Sequence, residues 1–260
     1  IRTSELYVLG AGTGLGKSEF FKETMVHIAE CHERNVGGIF LEESCEHTVR
    51  CLAGKVKNKL FHVPDGSWTD EELMDTVKGM ETKNRYHLYD HFGSTEYEVI
   101  KQRIRFMVVS LDCKYIFLDH ITALVSGTVD GDERKQLAYI MTDLSSLARE
   151  LNVSMFIISH LNTPEGKSHE EGGRVTLKNF FGSRAIGQWS NFVLGIERDQ
   201  QCTDENLKNV STLRVLKDRY TGRSTGTCLY LDYNAETGRL TEKLDDPFTT
   251  DDSVITKGEF

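Results

Sequence analysis

The run Gly10-Ala11-Gly12-Thr13-Gly14-Leu15-Gly16-Lys17-Ser18, set directly after the apolar segment Leu6-Tyr7-Val8-Leu9, constrains this chain more than any other feature. A short buried strand, a glycine-rich turn and a Lys-Ser pair read as a phosphate-binding loop that feeds a helix. Glycines let backbone N–H groups approach an anion closely, and the positive end of the following helix points at the same place. On this reading Gly12, Thr13, Gly14, Leu15 and Gly16 cradle phosphates, Lys17 neutralises the β- and γ-phosphates, and the Ser18 hydroxyl holds a magnesium ion. Ala11 stands where the strict pattern has its first glycine, and Gly10 and Gly12 flank it so that the loop can close. The competing reading is a glycine-rich turn with no ligand. Strand before, helix after and Gly-Lys-Ser in place weigh against it, so the chain is expected to bind and hydrolyse a nucleoside triphosphate with Mg2+.

The rest of the chain fits an α/β domain. Strand-length apolar runs fall at 6–9, 38–41, 86–89, 115–118, 154–159, 191–196, 212–216 and 227–231. Helical patterns fall between them at 17–33, 45–57, 69–82, 95–111 and 134–151. This alternation predicts a mainly parallel central sheet flanked by helices. After about residue 190 strands follow one another without long helices, which predicts an antiparallel edge near the C-terminus. The stretch 159–187 has no clear period, and long irregular segments of this kind carry function or move. Residues 1–244 read as one domain and the acidic 245–260 as a loose tail. The chain opens on Ile1, almost on top of the first strand, and reads as the C-terminal piece of something longer.

Composition bounds the function. No apolar stretch approaches membrane-spanning length and no signal peptide is visible, so an intracellular protein with no membrane partner is expected. Six cysteines without a CxxC pair suggest reduced thiols rather than a disulfide framework or a zinc site. A net charge of −9 argues against a broad basic face for duplex DNA, but not against a narrow channel lined by a few basic loops.

Other positions carry chemistry. Asp119 ends the apolar run Tyr115-Ile116-Phe117-Leu118, where a buried strand delivers one carboxylate to a metal ion. Ile39-Phe40-Leu41-Glu42-Glu43 ends in a pair of acids. Glu42, the first past the apolar run, is favoured to polarise an attacking water, while the other acid reads as a solvated helix start. His160 ends the run Phe156-Ile157-Ile158-Ser159; it reads either as a phosphate contact or as a structural histidine. Lys217 and Arg219 lie two residues apart on one face of a strand end. They read either as an exposed basic end or as cations that reach a phosphate across a subunit interface.

Taken together, these residues resemble the RecA-like motor domain of DnaB-type ring helicases, most of all the helicase half of short-tailed-phage primase–helicases, to which the mitochondrial Twinkle helicase is related. The likeness runs from Glu5 to Leu240. It includes Leu-Glu-Glu-Ser at 41–44, Leu-Asp-His-Ile at 118–121, Asp-Glu-Arg-Lys at 132–135, Ser-His-Leu at 159–161 and His-Glu-Glu-Gly at 169–172. It ends with Ile-Glu-Arg at 196–198, Leu-Lys-Asp-Arg-Tyr-Thr-Gly at 216–222 and Tyr-Asn-Ala-Glu-Thr-Gly at 233–238.

The resemblance implies a RecA-like P-loop NTPase core, ATP or dTTP as substrate, and a homo-oligomeric ring, expected to be a hexamer. Single-stranded DNA would run in its central channel, with a replicative DNA polymerase as a further partner. It implies Glu42 as catalytic base, Ser18 and Asp119 on the magnesium, His160 as phosphate sensor, and Arg219 as a finger in trans with Lys217 beside it. Arg198 and Tyr233 would pack on the base. DNA would be held by loops at 127–132 and 161–187, with Lys167, Arg174, Lys178 and Arg184 as candidates. A linker helix and any primase domain would precede Ile1, and the setting would be the cytoplasm of an infected bacterium. The main alternative is a RecA- or KaiC-like ATPase with a strand-exchange or regulatory role; another is an assembly module that barely turns over.

Overall fold

The computed structural model describes residues 1–91, 96–125, 133–164 and 166–248. Its elements follow the expected alternation. They are β1 (Leu6–Ala11), α1 (Lys17–Cys31), β2 (Val36–Phe40), α2 (Cys45–Lys57), α3 (Asp70–Lys83), β3 (Tyr86–Tyr89), α4 (Tyr97–Leu111) and β4 (Tyr115–Asp119). Then come α5 (Glu133–Leu151), β5 (Ser154–His160), α6 (Ser183–Trp189), β6 (Phe192–Glu197), α7 (Glu205–Lys208), β7 (Val210–Asp218), β8 (Cys228–Tyr233) and β9 (Leu240–Lys243). Among the described residues these strands form one sheet in the order β3-β2-β4-β5-β1-β6-β7-β8-β9.

The six strands from β3 to β6 run parallel. The antiparallel edge is β7, β8 and β9, so it begins one strand later than the change of spacing near residue 190 suggests. Strand β9, with the polar sequence Leu-Thr-Glu-Lys, carries no apolar run and escapes sequence reading. The short helix α6 escapes it too, because its seven residues, about two turns, are too few to show a period. Thr95, residues 127–132 and the tail beyond 248 lie outside the described residues.

Helices cover both faces of the parallel region. Leu6 and Val8 of β1 face one core with α4 and α5, while Tyr7, Leu9 and Ala11 face a second core with α1, α2 and α3. A strand buried on both faces is what an uninterrupted apolar run predicts. On the α1 side a row of aromatic rings crosses four neighbouring strands. Phe117 stacks on Phe156 at 4.6 Å, Phe156 on Tyr7 at 4.9 Å, and Tyr7 on Phe192 at 5.4 Å. Phe21 of α1 meets Phe117 edge-on at 5.2 Å, fixing the helix over the row. Such pairs add about 0.5–1.5 kcal/mol each beyond their buried area. No helix among the described residues is long and apolar enough to cross a membrane.

Phe117 is fully buried at the end of this row, where it also meets Phe21. Phe117→Ala is expected to cost about 3–5 kcal/mol, seen as a lower urea midpoint. A loss under about 1 kcal/mol would mean that the row does not brace the sheet.

Candidate nucleotide site

Register sets the depth of each functional group. Ala11 at the end of β1 is level with His160 of β5, and Phe40 of β2 is level with Asp119 of β4. The carboxyl ends of these strands share one edge, which is where ligands settle on parallel α/β sheets. There the loop, Glu42, Asp119 and His160 line a single cleft of about 600 Å³.

Gly16 starts α1 with φ 85°, a conformation that suits glycine, and no side chain caps the helix. The first-turn N–H groups are therefore aimed at the cleft. Lys17 Nζ donates to Gly12 O at 2.9 Å and Ala11 O at 3.3 Å, which keeps the ammonium at the mouth of the loop. Burial pushes Lys17 down, while Asp119, Glu42 and Glu170 push it back up.

The Ser18 hydroxyl donates to the Asp119 carboxylate. Asp119 is 5% exposed, and burial raises its carboxyl above the usual range despite the hydrogen bond from Ser18. Two hard oxygens and a costly buried charge fit a magnesium ion, which would offset that charge.

The two neighbouring acids have separate fates. Glu43 accepts from Lys22 Nζ at 3.0 Å and Thr48 Oγ1 at 2.8 Å, so it is locked in place rather than solvated. The start of α2 is capped by Ser44, which accepts from His47 N. Glu42 faces the cleft with 61% of its side chain exposed, and its Oε1 lies 2.8 Å from His120 Nε2. His160 is half-buried, and burial, then His120 and Lys17, lower its imidazole. These influences favour its neutral form, against the opposing pull of Glu42.

Two contacts on the loop were not anticipated from sequence. Glu170 Oε1 accepts the Thr13 N–H at 2.8 Å, and Gln200 Nε2 donates to Gly14 O at 3.1 Å. A Cβ on Gly12 would lie 2.6 Å from Glu170 Oε1, so the glycine serves close approach. The stretch 159–187 lacks a period because part of it lies against the loop. The run His169-Glu170-Glu171-Gly172 inside it was the available signal.

A second cavity of about 250 Å³ is lined by Gly14, Leu15, Arg198, Leu231 and Tyr233 among others. Arg198 Nη2 reaches Gly14 O at 3.3 Å. A flat guanidinium and a phenol ring beside the loop can take a planar ring between them.

Lys217 and Arg219 lie at the opposite end of the sheet. Asp218 pairs with Phe192, and Phe192 with Tyr7, at the far end of β1 from the loop. The separation along the strand is about 13 Å. Lys217 Nζ donates to Gly187 O at 2.7 Å and Ser190 O at 2.6 Å, and Arg219 Nη1 to Gln188 O at 3.1 Å. Both cations therefore grip the C-terminal end of α6, and neither enters the chain's own cleft.

The four DNA candidates do not form one surface. Lys178 and Arg184 share a groove with Arg134, Lys135, Phe180 and Trp189. Lys167 instead pairs with Asp199 at 3.5 Å, and Arg174 is exposed but does not line the groove. The loop at 127–132 lies outside the described residues.

The family described as DnaB-like helicase C terminal domain matches residues 1–241. The DNA helicase/primase of Enterobacteria phage T3 is 35% identical over 251 residues, covering 92% of this chain and 42% of the relative. The chain spans about half or less of the curated relatives it matches. Among solved structures, a DnaB-like replicative helicase superposes with a TM-score of 0.76 at 16% identity, over 92% of this chain and 57% of that one. A KaiC-like protein from Pyrococcus horikoshii superposes at 0.63 and 15% identity, over 92% of this chain and 90% of that one. These likenesses establish a RecA-like ATPase fold.

The raised Asp119 carboxyl yields a prediction with a sign. Its charge is a cost to the fold at neutral pH, and the cost disappears as the pH falls through the raised value and the group takes up its proton. Asp119→Asn, which keeps an acceptor for Ser18, is expected to raise the Tm of the ligand-free chain by a few degrees at pH 7 and to abolish hydrolysis. The Tm gain should shrink on acidification. A lower Tm for the variant at pH 7 would contradict the assignment of a buried, unfavourable charge.

Proposed function

This chain belongs to the DnaB-like helicase C-terminal domain family, and from that premise we propose that it is the NTP-hydrolysing motor of a replicative DNA helicase ring. Residues 1–244 form the motor domain on this reading. The ring, of six copies by analogy with the family, threads single-stranded DNA through its centre and displaces the other strand. Its setting is the cytoplasm of a phage-infected bacterium, beside a replicative polymerase. The substrate is ATP or dTTP.

One observation carries the reading. Lys17, Ser18, Asp119, Glu42 and His160 share one strand edge, while Lys217 and Arg219 sit at the opposite edge. A site with base, metal ligands and phosphate lysine on one side and its finger on the other is divided between copies. The reaction is in-line attack of water on the γ-phosphate. Glu42 polarises the water, and Lys17 and the neighbouring copy's Arg219 stabilise the charge spread over the phosphoryl oxygens. Ser18 and Asp119 would hold Mg2+, which when bound would supply positive charge to the phosphates. His160, its neutral form favoured by burial, offers a hydrogen bond to the γ-phosphate. Arg198 and Tyr233 take the base. Lys178 and Arg184 contact DNA phosphates, with Lys167 and Arg174 in lesser roles.

A mixing experiment tests the division. Glu42→Gln and Arg219→Ala are each expected to lower DNA-stimulated hydrolysis about a hundredfold or more. In an equal mixture about a quarter of the interfaces combine an intact base with an intact finger, so activity returns toward that fraction. Mixtures no better than the single variants would mean that Arg219 does not act across the interface. Failure to unwind a forked duplex, with hydrolysis intact, would favour the strand-exchange or regulatory ATPase.

A further inference from the structure

Glu42 and His160 of the cleft converge with the buried His120 in a way that the reaction above uses only in part. His120 Nε2 lies 2.8 Å from Glu42 Oε1. The His120 and His160 rings are 3.9 Å apart between centroids, at an interplanar angle of 37°. One ligand-type atom from each of the three residues lies within 4.8 Å of the others, a spacing that by distance alone would suit a divalent metal such as zinc.

The hydrogen bonding of His120 decides against that metal. His120 caps the short turn Ile121–Leu124, and its Nδ1 accepts the Ala123 N–H at 3.1 Å. The Thr122 hydroxyl lies against the same nitrogen. A nitrogen that accepts from a backbone N–H carries a lone pair, so the neutral imidazole bears its proton on Nε2. A protonated nitrogen is no metal ligand, but it is a donor, and what it faces is the Glu42 carboxylate. The ring itself is held, because His120 is buried, bonded to the backbone through one nitrogen and packed at a tilt against His160.

We propose that His120 is a positioning residue for Glu42: its backbone-fixed Nε2–H holds one carboxylate oxygen and turns the other toward the attacking water. Glu42 needs such a guide. It sits past the end of β2 with most of its side chain exposed, where a glutamate samples several rotamers. A base held a fraction of an ångström closer to its working position gains rate without gaining substrate affinity. The pairing also makes His120 a bridge between Glu42 and His160, touching both. The inference rests on Glu42 being the base.

The test is steady-state hydrolysis by the assembled protein, with saturating Mg2+ and single-stranded DNA, on His120→Phe, His120→Gln, Glu42→Gln and the double variant Glu42→Gln/His120→Phe. Phenylalanine keeps a ring packed against His160 and removes the donor. Glutamine restores an N–H close to the position of Nε2. Binding of a fluorescent NTP analogue reports whether each variant keeps a folded site. His120→Phe is expected to lower kcat about tenfold to a hundredfold, with KM within about twofold. His120→Gln should recover kcat to within about threefold of wild type. The double variant should be no slower than Glu42→Gln alone, because the histidine acts only through the glutamate.

The proposal is overturned if His120→Phe keeps wild-type kcat while Glu42→Gln is inactive, if glutamine does not rescue, or if the two losses multiply in the double variant. A Glu42→Gln protein at wild-type rate would instead overturn the assignment of Glu42 as base.

Discussion

Between β1 and β5 the backbone hydrogen bonds set Ala11 beside His160, and between β2 and β4 they set Phe40 beside Asp119. That pairing is the constraint on which the cleft depends. Side chains alternate along a strand, so a slip of one residue would turn Phe117 away from Phe21 and Phe156 and carry Asp119 away from Ser18. The aromatic row resists such a slip because its members are contributed at matching levels by β4, β5, β1 and β6. Packing in the core and chemistry at the edge are thus fixed by one register. The chemistry needs no dedicated scaffold beyond the sheet.

The protein carries an excess of acid, and much of it is put to structural use near the cleft. Lys22 is 1% exposed and is held between Glu19 and Glu43. Lys55, also buried, is held between Glu19 and Glu23, and Glu23 also pairs with Arg239. This chain of alternating charges runs from the phosphate cleft to the second cavity, and Glu19 borders both. Buried charges are tolerated when each has a partner, and removal of one strands the others. The cations of the Lys178–Arg184 groove lie apart from this network, so a negative overall charge coexists with a local basic surface.

Much of the architecture was legible because it is written in apolar runs. The strands β1 to β8 and the helices α1 to α5 follow from strand-length hydrophobic segments and the patterns between them. Strand β9 and helix α6 were not legible: one has a single apolar residue, Leu240, and the other is too short to show a period. Within the cleft, Lys17, Ser18, Asp119 and Glu42 were readable because strand ends and glycine turns announce them. Glu42 was already favoured over Glu43 as the first acid past the apolar run, but that Glu43 is held by Lys22 was not legible. Glu170, Gln200 and His120 were hidden because their partners lie far along the chain or on backbone atoms. The basic residues of the irregular stretch looked alike in sequence, and only their surroundings separate Lys178 and Arg184 from Lys167.

The loop's one departure from the strict pattern has a structural reading. Ala11 is the last residue of β1, with its methyl group in the core shared with α1. Gly12 is the first residue free of the strand and has no room for a Cβ beneath Glu170. Tolerance is therefore inverted relative to the motif as usually written. Position 11 accepts a small apolar side chain, while a Cβ at position 12 would press on Glu170 Oε1, which can swing aside, and on His169 Cβ at 2.8 Å, which moves only with the 169–173 turn. Anyone diversifying this loop for altered nucleotide preference would do well to vary residues 12 and 170 as a coupled pair and to treat residue 11 as part of the core.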